Sequence, residues 1–136
     1  MTDEYKLDDQ VGYKLRLASQ RHLEIFSQHL SEITPTQFSV LARLYEVGET
    51  SQNQLGRLVA MDAATTKGVI TRLLEKNLVE TRADPKDLRR LQISLTEAGR
   101  ELTIDAIEKA QRITRETAAN LNGRDLKRLL ELLDKI

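Results

Sequence analysis

The chain contains no cysteine. That excludes a disulfide framework, a thiol redox switch and the thiolate ligands of the commonest structural zinc sites. Its charges cancel as well: Lys plus Arg number 21 and Asp plus Glu number 21. A neutral balance gives no bulk attraction for nucleic acid, so any such attraction has to be local. No apolar run approaches the length of a membrane span, and the segment from Met1 to Leu30 is charged throughout. Neither a signal peptide nor an anchor is expected, and a cytoplasmic protein without a membrane partner fits. There is no phosphate-cradling glycine loop, no paired-carboxylate or nucleophile–base motif, and neither histidine lies in a catalytic pattern. An enzyme is therefore not expected, nor a cofactor. His22 and His29 are seven residues apart, about two helical turns, too far to share a metal ion without other ligands.

What the chain does carry is concentrated between Ser51 and Arg90. Ser51 with Gln54 three residues later predicts a capping box, and Leu55, Leu58 and Val59 recur at helical spacing, so a short helix runs to about Val59. After a break at Ala60-Met61, Asp62 caps a second helix whose apolar face is Val69, Ile70, Leu73 and Leu74. Its other face carries Ala64, Thr65, Lys67, Gly68, Thr71 and Arg72. Small residues and hydroxyls approach base edges closely, and the two cations suit phosphates, so this face fits a major groove. Asn77 stands where that helix must end, because asparagine tolerates the left-handed conformation of a helix cap. Leu78 to Arg82 and Leu91 to Leu95 alternate with period two, as half-buried strands do.

Between those strands lies Asp84-Pro85-Lys86-Asp87-Leu88-Arg89-Arg90, a turn with a charged tip. An ordinary solvated loop is the plain reading. A pinned turn with two adjacent arginines beside a recognition-like helix points instead to a second probe. From Lys67 to Arg90 there are seven cations against four anions, which is the local attraction that the whole chain lacks. A dimer would double it.

Helices flank this stretch. Met1 to Lys6 is a polar tail expected to fray. Leu7, Val11, Leu15, Ala18, Ile25 or Phe26, and Leu30 form a stripe that predicts one long amphipathic helix. Thr34-Pro35-Thr36-Gln37 is a helix start with a capping box and proline at the first helical position, and that helix continues through Phe38, Leu41, Ala42 and Tyr45 to Gly48. Thr96 caps a helix carrying Leu102, Ala106, Ile107, Ala110, Ile113 and Thr117 that ends near Asn120; Asn122-Gly123 breaks the chain before a leucine-dense helix of Leu126, Leu129, Leu130, Leu132, Leu133 and Ile136. The terminal helices have more apolar face than a small lobe needs, which predicts a homodimer.

His22 lies on or beside the apolar stripe of the first helix. It reads either as a core or interface histidine or as part of a ligand pocket. In the second reading Arg16 and Arg21, with Arg43 on the next helix, offer bidentate partners to a carboxylate, and Tyr13, Phe26 or Phe38 supply apolar walls. A small aromatic carboxylate or phenolic effector would suit such a site. In the first, the arginines are solvated or pair with Glu24 and Glu46.

Thr34-Pro35-Thr36-Gln37-Phe38, Ser51-Gln52-Asn53-Gln54-Leu55-Gly56, Arg72-Leu73-Leu74-Glu75-Lys76-Asn77-Leu78-Val79, the Asp84 to Arg90 hairpin and Leu95-Thr96-Glu97-Ala98-Gly99 together resemble the MarR family of bacterial transcription regulators. The resemblance covers the whole chain and is densest from Ile33 to Arg100. It implies a mainly α fold with a small β-hairpin wing (α+β), a winged helix-turn-helix with N- and C-terminal dimerisation helices. On that pattern residues 1–136 form a single domain, with dimerisation helices over 7–31 and 101–136 and the DNA-binding lobe over 34–100.

The resemblance further implies a dimer that binds a pseudo-palindromic double-stranded operator, usually represses, and is released by a small aromatic or phenolic ligand. The DNA contacts expected from the helix face and the hairpin are Ser51, Gln52, Ala64, Thr65, Lys67, Gly68, Thr71, Arg72, Lys86, Asp87, Arg89 and Arg90. The family's D-x-R wing signature falls on Asp87 and Arg89. The effector residues expected from their placement on the first two helices are Tyr13, Arg16, Arg21, His22 and Arg43. Gln20-Arg21-His22-Leu23, followed by Thr34-Pro35-Thr36-Gln37-Phe38 and Met61-Asp62-Ala63-Ala64-Thr65, is most similar to the NicR-type branch, whose members respond to hydroxynicotinate-like acids.

Two departures stand out. Gly68 replaces a larger residue, frequently arginine, in the recognition helix, and costs about 1 kcal/mol of helix propensity relative to alanine. A close approach to DNA or to a neighbouring helix would offset that. Asn77 replaces the usual glycine. A winged-helix module that binds protein, or an architectural DNA protein without an effector, is the competing class.

Overall fold

Five side-chain oxygens start five helices, each accepting the backbone amide three residues on. Thr34 Oγ1 receives Gln37 N at 3.2 Å, Ser51 Oγ receives Gln54 N at 3.2 Å, and Asp62 Oδ1 receives Thr65 N at 2.7 Å. Thr96 Oγ1 receives Gly99 N at 2.9 Å and Asn122 Oδ1 receives Asp125 N at 2.8 Å. Each bond satisfies a donor that the helix itself cannot. The computed structural model describes residues 4–136; the first three residues of the expected polar tail lie outside them. A 3-10 turn at Leu7–Asp9 precedes α1 (Val11–His29) and α2 (Pro35–Val47). The short β1 (Thr50–Ser51), α3 (Gln52–Leu58) and α4 (Ala63–Glu75) follow. The hairpin β2 (Val79–Asp84) and β3 (Asp87–Leu95) leads to α5 (Glu97–Thr117) and α6 (Gly123–Leu133). This is a winged helix-turn-helix fold. Among the described residues no helix is long and apolar enough to cross a membrane.

Several local expectations are corrected. The first helix does not run unbroken from Leu7: the chain is extended at Gln10, and α1 begins at Val11. At Ser51 the cap forms, but Gln54 does not return it, because its Oε1 accepts from Arg57 Nε at 3.0 Å and Nη2 at 2.7 Å. The full capping box is at Thr34 and Gln37. In α4 the buried stripe is Thr66, Val69, Ile70 and Leu73, while Leu74 is exposed. Thr66 belongs three residues before Val69 on the same face, and its hydroxyl is satisfied by the Asp62 carbonyl at 2.8 Å. Tyr45 is exposed, with the Arg100 guanidinium 5.1 Å from its ring centroid. In α5 the buried side chains are Thr103, Ala106 and Ile113, Thr103 rather than Leu102 facing inward with its hydroxyl on the Gly99 carbonyl at 2.7 Å. That helix stops at Thr117, and Asn122-Gly123 is the capped start of α6 rather than a plain break.

The sheet is antiparallel in the order β1-β3-β2. Thr50 pairs with Ile93 and Ser51 with Gln92, while Val79 to Ala83 pair with Leu95 to Leu91. Ile93 is fully buried, and the rest of the outer hairpin is largely exposed. The strands extend further toward the tip than the alternation predicts. Arg89 and Arg90 thus stand on β3 and not in a loop.

By internal packing the chain divides into two compact units. One comprises the residues up to His29 together with Ala110–Ile136, and the other is Leu30–Lys109. The second holds the winged lobe, with Val40, Leu41, Leu44, Leu55, Ile70, Leu73 and Ile93 at its centre. The first turns of α5 belong to it. Thr96 N donates to the Leu78 carbonyl at 3.1 Å, and a Cβ on Gly99 would lie 1.8 Å from that same oxygen. Only glycine lets the helix start so close to the hairpin root, because any side chain would collide with backbone. In the first unit Leu15, Leu17, Leu23, Leu129, Leu130, Leu132, Leu133 and Ile136 are exposed, so α6 leaves four of its five leucines exposed and only Leu126 half-buried.

A candidate nucleic-acid interface

The exposed face of α4 follows from the helical period. With Thr66, Val69, Ile70 and Leu73 turned inward, Ala64, Thr65, Lys67, Gly68, Thr71 and Arg72 are all exposed. Asp62 fixes the helix start, and the Thr65 amide holds its carboxyl below the usual carboxylate range. Thr71 donates its hydroxyl proton to the Lys67 carbonyl at 2.9 Å, which leaves its oxygen as an acceptor. Arg72 touches Glu75 only at 3.8 Å. Apart from its chain neighbours and the backbone of its own helix, nothing lies within 4 Å of a Cβ built on Gly68, so no neighbouring helix accounts for that glycine.

The wing is shaped by its acids. The chain turns at Pro85-Lys86, with Asp84 and Asp87 paired across it and a register shift between Ala83 and Asp84. Asp84 Oδ1 accepts the Lys86 amide at 2.9 Å and Oδ2 accepts Gln92 Nε2 at 3.2 Å. The Lys86 amide, followed by Gln92, holds the Asp84 carboxyl below its ordinary range against the opposing effect of burial. Asp87 Oδ1 accepts the Arg89 amide at 3.1 Å and lies 3.4 Å from Arg89 Nε. The Arg89 side chain is 93% exposed. A carboxylate that grips both the amide and the guanidinium root of one residue restricts where an otherwise free arginine points.

The wing and α3 meet in a cavity of about 320 Å³ lined by Gln52, Asn53, Asp87, Arg89, Arg90 and Leu91. Gln52, Asp87, Arg89 and Arg90 are thereby brought together, while Lys86 remains at the exposed turn. Ser51 behaves differently from the rest of the expected contact set. It is buried and its hydroxyl caps α3, so its part is to start that helix. Sequence reading passed over Asn53, whose place beside the wing depends on the pairing of Ser51 with Gln92.

The effector residues expected from sequence divide between the two units. Tyr13, Arg16, Arg21 and His22 are on α1, and Arg43 is on α2. Arg16 Nη1 donates to Gln20 Oε1 at 3.4 Å, and its guanidinium sits 5.4 Å from the Tyr13 ring centroid. Arg21 Nη2 donates to the Glu116 carbonyl at 3.0 Å, and His22 Nδ1 is 2.9 Å from Thr117 Oγ1. Arg43 Nη1 pairs with both carboxylate oxygens of Glu46, at 3.1 and 3.2 Å. His29 Nε2 meets Glu116 Oε1 at 2.8 Å, a contact that the sequence reading did not draw.

The chain is similar to known proteins in sequence and in fold. Residues 33–91 match the MarR family model. The HTH-type transcriptional repressor NicR of Pseudomonas putida is 37% identical over 134 residues, covering 97% of this chain and 85% of the relative. A crystal structure of a probable transcriptional regulator from Pseudomonas aeruginosa is 45% identical with a TM-score of 0.89, covering 96% of this chain and 98% of that one. Bordetella bronchiseptica BpsR, whose DNA binding is regulated by 6-hydroxynicotinic acid, is 37% identical with a TM-score of 0.93 over 98% of this chain and 96% of its own.

Proposed function

This chain belongs to the MarR family of transcription regulators, and we propose that it is a homodimeric, cytoplasmic repressor released from a pseudo-palindromic operator by a small aromatic acid. The observation that carries the DNA part is the exposed face of α4 beside a wing whose Arg89 is held at its root by Asp87. Thr65, Lys67, Thr71 and Arg72 read major-groove edges and phosphates. Arg89 enters the minor groove, where A·T-rich sequence narrows the groove and concentrates negative potential. Asp87 orients Arg89 without touching DNA. The dimer is supported by the exposed leucines of α6 and the exposed apolar residues of α1.

The effector class is supported by the likeness to BpsR and by the chemistry of α1. With Nδ1 of His22 on Thr117, Nε2 is left for a ligand, and Arg21 gives one of its five donors to the Glu116 carbonyl. Both residues are thus steadied from the same turn of α5. Arg21 is the better carboxylate partner, since Arg43 would have to give up Glu46. A ligand that binds one arrangement of the dimer more tightly shifts the spacing of its recognition helices, and DNA must then weaken the ligand by the same factor.

Thermal-shift screening of 6-hydroxynicotinic acid and related aromatic acids tests the effector site. A ligand at about a hundred times its dissociation constant adds about 2.7 kcal/mol to the native state. His22→Ala removes that shift and leaves DNA binding intact. An unaltered response in His22→Ala would place the pocket elsewhere.

A further inference from the structure

Lys76 is one of the seven cations between Lys67 and Arg90, and by charge alone it is as good a phosphate contact as the others. Its ammonium is already engaged. Nζ donates to the Glu32 carbonyl at 2.8 Å and to Gln37 Oε1 at 3.1 Å. Gln37 is buried, and the same Oε1 accepts the Thr34 amide at 3.2 Å while the Gln37 amide donates to Thr34 Oγ1 at 3.2 Å. The lysine therefore enters the capping box that starts α2. At the other end of its own stem, Lys76 is the C-cap of α4. Asn77 then turns left-handed, with φ 58°, and the chain leaves the recognition helix at once.

We infer that Lys76 is a positioning residue: it ties the C-terminal end of the recognition helix to the segment that enters α2, and does not contact DNA. The inference rests on the DNA-binding reading. The N-terminal end of α4 is held by the Asp62 cap and the Thr66 hydroxyl. At the far end, two donors of one ammonium fix the helix against Glu32 and Gln37. Thr71 and Arg72 lie in the half of the helix that this tie controls, so its loss loosens the contacts that read bases without removing a phosphate contact.

The test uses the full chain, the duplex it selects from a random library, and a scrambled duplex of the same length. Lys76→Met keeps the stem and removes the donors; Lys76→Arg keeps donors; Lys67→Met is the phosphate-contact comparison. Lys76→Met is expected to bind the selected duplex about tenfold more weakly. Its affinity for the scrambled duplex and its dependence of log K on log salt stay as in the wild type, and Lys76→Arg recovers most of the loss. Lys67→Met weakens both duplexes and makes the salt slope shallower by about one. Three outcomes overturn the inference: a shallower slope in Lys76→Met, an equal loss on both duplexes, or unchanged affinity for the selected one. If the wild-type chain selects no duplex, the DNA-binding reading fails, and amide exchange then tests the tie by itself. Faster exchange at Thr34, Asn77 and Leu78 in Lys76→Met supports it, and unchanged exchange overturns it.

Discussion

Arg82 and Glu49 form a bidentate ion pair, Nε to Oε1 at 2.5 Å and Nη2 to Oε2 at 2.7 Å. The pair braces the wing across its full width, because Arg82 faces Gln92 on β3, Gln92 faces Ser51 on β1, and Glu49 immediately precedes β1. One of the hairpin's cations is thereby spent on geometry. The guanidinium holds the Glu49 carboxyl below its ordinary range, as the Thr65 amide does for Asp62 and the Lys86 amide for Asp84.

A carboxyl whose folded pKa is lowered stabilises the native state above its unfolded pKa, about 4, and that contribution is lost as pH falls through the folded value. The melting temperature of the full chain is therefore expected to fall as the pH drops below about 4. Glu49→Gln should lower the melting temperature at pH 7 and show a smaller further drop in acid. A Glu49→Gln profile parallel to the wild type would show that the pair contributes nothing.

On the proposed function, α4 and the wing carry different information. Arg89→Ala should weaken binding across operator variants and make the salt slope shallower by about one, since a minor-groove guanidinium answers to potential and not to a base code. Arg72→Ala should change the preferred base at one position per half-site, at about 1–3 kcal/mol of discrimination. Fluorescence anisotropy over a salt series with single-base operator variants measures both. An unchanged slope in Arg89→Ala would contradict the assignment of the wing.

Gly68 makes a separable prediction. With open space around it, Gly68→Ala should raise stability by up to about 1 kcal/mol through helix propensity and weaken operator binding where the backbone approaches DNA. Denaturant unfolding and DNA titration on the same sample check the two signs. Tighter binding in Gly68→Ala would remove the close approach as the reason for the glycine.

The full chain should sediment at twice its 15.5 kDa. Truncation after Asn120 removes Leu126, Leu129, Leu130 and Leu133 together, at about 1.5–3 kcal/mol for each side chain that a dimer buries. A stably folded dimer, or a stably folded monomer, of the truncated chain would contradict the role given to α6.

The elements and the exposed face of α4 were legible in the sequence because each rests on a local rule. Thr34-Pro35, Asp62 and Asn77 carry their own geometry, and the helical period of α4 exposes Thr65, Lys67 and Arg72 once its apolar side is found. What was not legible depends on chain segments far apart. Two residues of β1 carry no pattern, and exist only because Ser51 lies against Gln92. Ala60 adopts a left-handed φ of 56° that no propensity favours; the turn between α3 and α4 imposes it. Which cations remain free was equally hidden. Lys76, Arg82 and Arg43 have partners 39, 33 and 3 residues away in Gln37, Glu49 and Glu46, and only the last spacing is one that a sequence displays.

Release of DNA by an aromatic acid is measured as the affinity of the wild-type chain for its selected duplex with and without saturating 6-hydroxynicotinic acid. A weakening of about 5–150-fold is expected, the usual range of an allosteric coupling, with the same factor appearing when the acid is titrated in the presence of DNA. Equal affinity in both conditions across a panel of aromatic carboxylates and phenols would contradict it.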